Sequence, residues 1–151
     1  MSRPNDVLLA LKLRLAAING GGDYVHDLST AGRVQVGEPV PGRGPSAPCA
    51  YLWLSEFTRA YADLGSHRLT MRVTIELRLP AAGDTGDARQ AAACAGLSDM
   101  MTALDASAFA NVCDMTIEGA VLDGVHIGAI GEVVIYADVV AWQDLPFGEG
   151  A

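Results

Sequence analysis

Twelve consecutive residues, Arg68 to Leu79, alternate polar and apolar without interruption. Leu69, Met71, Val73, Ile75, Leu77 and Leu79 fall on one side; Arg68, Thr70, Arg72, Thr74, Glu76 and Arg78 fall on the other. Successive side chains of a strand point to opposite faces, so a period of two specifies a long strand with one dry and one wet face. At about 3.3 Å per residue it reaches roughly 40 Å, about twice the usual strand length. A chain of 151 residues does not need such a strand merely to close a core. The excess suggests a sheet that serves as a wall, its polar face meeting a partner or a lumen.

The length fits one domain over 1–151, large enough to bury about 68–70% of its unfolded surface without staples. Half of the residues are hydrophobic and 19% are charged, the balance of a globular protein. No apolar run approaches the roughly 18–20 residues that span a bilayer, and the N-terminus lacks the features of a secretory signal. Cys49, Cys94 and Cys113 are odd in number and unpaired in spacing, so they read as small buried apolar residues in a reducing compartment. Ten basic against eighteen acidic residues give a net charge of −8. That sign disfavours tight nucleic-acid binding, which works by neutralising phosphates, but permits a surface that DNA slides past.

The spacing of Leu8, Leu11, Leu15 and Ile18 predicts a helix over 4–18, with Pro4 in its first turn and Asn19-Gly20 ending it. Leu9 and Leu13 extend its apolar surface beyond one core contact. A short strand at 33–36 precedes residues 37–48, where four prolines and three glycines predict a flexible loop or arm. Strand character resumes from Cys49 to about Tyr61, with Tyr51, Trp53 and Phe57 on one face and Leu52 and Leu54 on the other, as in a central strand. It should form a hairpin with the alternating strand. If odd residues of both strands face the core, paired numbers sum to an even value, which excludes a two-residue turn at Leu64-Gly65 and favours an odd loop with Gly65 left-handed. Asp84, Thr85 or Asp87 can cap a second helix over 87–106, with stripe Ala93, Leu97, Met100 and Leu104, lying across the apolar face of the hairpin. Strands at 114–122 and 132–142 follow, then a frayed tail over 144–151. The class is α+β, with a mainly antiparallel sheet and two flanking helices.

Catalytic signals are weak. His26, His67 and His126 each fall in or near a predicted loop without ligand spacing, so no metal site is expected. Gly20–Gly22 lacks the Lys-Ser/Thr of a phosphate loop, no Gly-x-Ser-x-Gly elbow occurs, and no basic residue near a cysteine suggests an activated thiolate. Glu56, Glu76, Glu118, Glu132 and Asp138 lie on predicted strands, where pairing with Arg68, Arg72 and Arg78 is a simpler role than acid–base work. Tyr51, Trp53, Phe57 and Trp142 read as core or interface aromatics rather than a stacking platform for bases. No enzyme and no cofactor are expected.

The element order resembles one family. An N-terminal helix ending near Ile18, the Val-x-Val-Gly-Glu stretch Val34–Glu38, a Pro/Gly loop, the strand Ala50–Glu56, the long alternating strand, one capped helix and two C-terminal strands resemble the tail terminator (neck or tail-completion) proteins of long-tailed bacteriophages. That resemblance implies a structural virion protein, assembled in the host cytoplasm, that forms a six-membered ring on the tail tube. It would end tube polymerisation and meet the head connector, while viral DNA passes through the ring without specific binding and no membrane is involved. The interface residues expected are Leu9 and Leu13, Arg43 of the arm, and Arg68, Arg72, Glu76 and Arg78 of the wet face. The alternatives are another neck or baseplate role, or a small-ligand-binding module or enzyme using the polar sheet face.

Overall fold

The computed structural model describes residues 3–39, 47–63, 65–80, 85–105, 115–118, 120–128 and 132–146. Their elements are α1 (Arg3–Ala16), β1 (Val34–Val36), β2 (Cys49–Asp63), β3 (Ser66–Leu79), α2 (Gly86–Ala103), β4 (Thr116–Ile117), β5 (Val121–Ile127) and β6 (Val133–Pro146). The class is α+β. The sheet runs β1-β2-β3-β6, with β4 and β5 following one another along the far flank of β6. Only β1 and β2 pair in parallel; the other pairings are antiparallel.

The alternating segment is β3, and it extends to fourteen residues. It is hydrogen-bonded on both flanks, to β2 and to β6, along nearly its full length. Its odd residues from Met71 to Leu79 are at most 1% exposed and join Val133, Ile135, Ala137, Val139 and Ala141 of β6 in the core. The helices supply the other half of that core. Val7, Leu11 and Leu15 of α1 are fully buried and contact the β1–β2 side. Burying each such side chain contributes about 1.5–3 kcal/mol.

Helix α2 lies chiefly over β6, with β3 and β5 beside it, rather than across the β2–β3 hairpin, and α1 is the helix over β2. A small residue sets the distance of α2 from the sheet. A Cβ added at Gly96 would lie 2.5 Å from Ile135 Cδ1 and 3.0 Å from Leu79 Cδ1. The Thr85 hydroxyl accepts from the Ala88 amide and caps the helix start. At the other end Arg14 of α1 donates through Nε to the Ala103 carbonyl at 3.1 Å, placing a cation where the helix dipole is negative.

The excursion after α1 is fixed from α2. Asp99 is fully buried, accepts from the amides of Val25 and His26 at 2.9 and 2.8 Å, and bonds His26 Nδ1 at 2.8 Å. Leu28 then returns to the core, its amide donating to the Ile18 carbonyl.

Several expectations change. Ser55 is an unpaired bulge between Leu54↔Val73 and Glu56↔Arg72, so Phe57 lies opposite Met71 on the helix-covered face, away from Tyr51 and Trp53. The core residues of the first half of β2 are even-numbered, Ala50 and Leu52, so the parity premise fails there. A second shift between Tyr61 and Asp63 lets the ladder close on Asp63↔Ser66, the two-residue spacing that parity had excluded. β2 is central only where β1 covers it, at Ala50–Leu52. Among the described residues three strands follow α2 where two were expected, and β6 continues through Pro146, so residues 144–146 are sheet rather than tail. His67 is a buried strand residue at 2% exposure, whereas Cys49 is half-buried and Cys94 exposed. Cys113, Arg43, most of the 37–48 loop (residues 40–46) and the tail from 147 lie outside the described residues.

Two substitutions test this packing. Gly96→Val should destabilise by about 1–3 kcal/mol through overpacking, read as a lower urea midpoint with unchanged m value. Asp99→Ala leaves two part-buried amides without their acceptor and should cost about 1–3 kcal/mol by the same measurement. An unchanged midpoint would refute the clamp.

Candidate functional site

Both helices contribute to one core, and that core takes the odd residues of β3 and β6. The opposite face carries the even residues of β3, flanked by Tyr51, Trp53 and Glu56 of β2 and by Tyr136, Asp138, Trp142 and Asp144 of β6. The buried residues of both helices belong to the core on the other side of the sheet. Its polar groups are largely engaged with one another.

At one end, Arg68 grips Asp144 through Nε at 2.7 Å and Nη2 at 3.0 Å, a bidentate pair across β3 and β6. Its guanidinium also lies 4.2 Å from the centre of the Trp142 ring. Such a contact is worth about 0.5–1 kcal/mol at an exposed site. The Trp142 indole donates to Glu118 at 3.2 Å. Midway, the Thr74 hydroxyl bonds Asp138 at 3.2 Å.

At the other end, register places Tyr51 and Tyr136 on either side of Glu76. Arg78 pairs with Glu76 at 3.2 Å and stands 5.6 Å from the centre of the Tyr51 ring. The two flanking rings and the guanidinium leave Glu76 only 5% exposed, so this part of the expected wet face is dry. The Tyr136 phenol hydrogen-bonds Glu76; burial first, then the Glu76 charge, raise it above its ordinary value. Burial likewise raises the Tyr51 phenol and the Cys49 thiol. A raised thiol is a poorer nucleophile at neutral pH, which argues against a reactive Cys49.

The expected interface residues therefore divide. Arg68, Glu76 and Arg78 share the bare face and are paired, and Arg72 is exposed on the same face opposite Glu56. Leu9 and Leu13 point away from the core on α1, at 40% and 70% exposure. Sequence reasoning missed Asp144, Tyr136 and Asp99. For the two strand residues the signal was register: in the β3–β6 pairing Asp144 faces Arg68 and Tyr136 faces Glu76.

The His26–Asp99 contact has the form of a base and its orienting carboxylate. Two backbone amides also converge on that carboxylate, which makes it a loop clamp. A cavity of about 270 Å³ lies beside Arg59, Ala60, Tyr61 and His67, near the end of the hairpin. It falls below the roughly 300–1,000 Å³ of small-molecule sites. Among the described residues no cluster of three or more His, Cys, Asp or Glu side chains can hold a metal ion. No helix among them is long and apolar enough to cross a membrane.

No protein-family model and no curated protein matches the chain. Among solved structures, a chain from the virion of a native gene transfer agent (GTA) particle is similar at 18% identity and a TM-score of 0.46. That match covers 95% of this chain and 98% of the other.

The Arg68–Asp144 pair makes a pH prediction. The hydrogen bond from Arg68 holds the Asp144 carboxyl below its ordinary value of 3.8. A value lower in the folded state adds stability above the ordinary carboxylate range and loses it as pH falls through the folded value. Melting temperatures of the wild type and Asp144→Asn should differ near neutral pH and converge as pH drops below 3.8. A gap that persists unchanged into acid contradicts the pairing.

Proposed function

We propose that this chain is a structural subunit of a tailed-phage-like virion, forming a ring that caps the tail tube and joins it to the head connector. The observation carrying this reading is the bare sheet face. Its arginines at 68 and 78 and its carboxylates at 76, 138 and 144 bond to neighbours on the same face. Groups already engaged in this way suit a wall better than a pocket, where polar side chains converge on a small ligand. The order of helix, arm, long hairpin, helix and C-terminal strands, which resembles the tail terminators, gives that wall its context. An overall charge of −8 suits a passage that must not retain DNA, since like charges oppose phosphate adhesion. Leu9 and Leu13, exposed on α1, are the residues we assign to burial between subunits or against the tube.

Molar mass in solution together with electron imaging tests the reading. The expected result is a closed ring with a hole wide enough for duplex DNA, formed alone or on tail tubes. A particle that stays monomeric and never decorates tubes overturns it. Removing residues 38–47, the proposed docking arm, should leave circular dichroism and melting temperature unchanged while impairing assembly; loss of folding would show that the arm belongs to the core.

A further inference from the structure

The dry side of the sheet does not stay apolar to the end of the hairpin. Along β3 the row Leu79, Leu77, Ile75, Val73, Met71, Leu69 ends on His67, and on β6 the row from Val133 to Ala141 continues to Gln143. Beyond the Ser55 bulge, β2 carries Phe57, Arg59 and Tyr61 on this same side, opposite Met71, Leu69 and His67. Arg59, Leu69 and Gln143 are level with one another, and Tyr61, His67 and Leu145 form the next row. Three adjacent strands thus bring nitrogen-bearing side chains to the end of a face that is otherwise hydrocarbon. Taking such groups out of water costs free energy, so packing alone does not select them.

The cavity of about 270 Å³ opens at this end. Its described lining is Arg59, Ala60 and Tyr61 of β2 and His67 of β3. It reaches from Tyr61, which is 83% exposed, to His67, which is 2% exposed. Each polar side chain in that lining is a guanidinium, a phenol or an imidazole, and each carries an N–H or O–H donor. Asp144, the carboxylate level with Ala60, stands on the other face of the sheet, where Arg68 holds it. The described lining therefore offers donors, with a permanent positive charge at Arg59, in a chain whose net charge is −8.

We propose that this cavity binds a small oxyanion, a carboxylate or phosphate group engaged by the planar fork of Arg59. A guanidinium meets such a group through two parallel hydrogen bonds, charge-assisted and roughly twice as strong as neutral ones. The charge of Arg59 carries the site; Tyr61 gives it an aromatic wall and His67 a polar floor. The volume has room for several water molecules, which admits a group of a few heavy atoms and is too small to enclose a nucleotide. The oxyanion belongs either to a free organic acid or phosphate or to an acidic side chain of an adjoining protein chain. The site stands independently of the ring reading.

The test follows the melting temperature of the full-length protein against increasing succinate and, separately, inorganic phosphate, with sodium chloride matched for ionic strength. The expected result is a saturable rise of about 2–4 °C with at least one probe once it exceeds its Kd severalfold, and no such rise with chloride. Arg59 is exposed, so Arg59→Gln should keep its circular dichroism while the apparent affinity falls at least tenfold. Arg59→Lys, which retains the charge and loses the fork, should lie between the two. No rise with either probe, or an equal rise in the wild type and Arg59→Gln, overturns the site. Molar mass in the same samples separates the two sources. A response present in single chains and lost on assembly means that a neighbour's carboxylate fills the cavity, and a response that persists in every state of assembly means that a free anion does.

Discussion

The two hydrogen-bonded flanks of β3 are the constraint on which the other elements depend. With β2 on one side and β6 on the other, this strand fixes the level and the facing of each residue in the central sheet. Its period of two then separates the molecule into an apolar side, which both helices cover, and a polar side, which they do not. Gly96 and Asp99 act within that division. One permits α2 to approach the sheet closely, and the other ties the excursion after α1 to α2.

Much of this was legible in the chain. The twelve-residue alternation specified the strand, its dry face and its length, and the spacing of Leu8, Leu11, Leu15 and Ile18 specified the first helix. What escaped was phase. A bulge changes no composition and leaves no local signature, so Ser55 reversed the expected facing of Phe57 unseen. The end of β6 escaped for a related reason. Gln143-Asp144-Leu145-Pro146 reads as a polar exit, yet Asp144 is held by Arg68 and Leu145 is 3% exposed. The candidate face was half legible: its arginines were identified, but the partners on β6 depend on long-range register that local pattern does not carry.

The bare face also qualifies what a polar surface means. Glu76, between two tyrosines and under Arg78, is almost as dry as the core behind it. Charges satisfied within one chain make little demand on whatever lies opposite, because their desolvation cost has already been met locally. A surface of that kind tolerates a passing polyanion or a flat neighbour, and it offers few unmet hydrogen bonds to a small ligand.

The Ser55 bulge has one more consequence. It works as a frame marker in space, as an inserted base does in a reading frame. If Ser55 were taken into the ladder instead of bulging out of it, the chain would keep its composition, its hairpin and its whole length. Beyond that point, however, Phe57 and Tyr61 would turn to the bare face, and Glu56 and Thr58 would turn toward the helices. Two chains that look interchangeable when compared letter by letter could then present opposite chemistries along the outer half of the same strand.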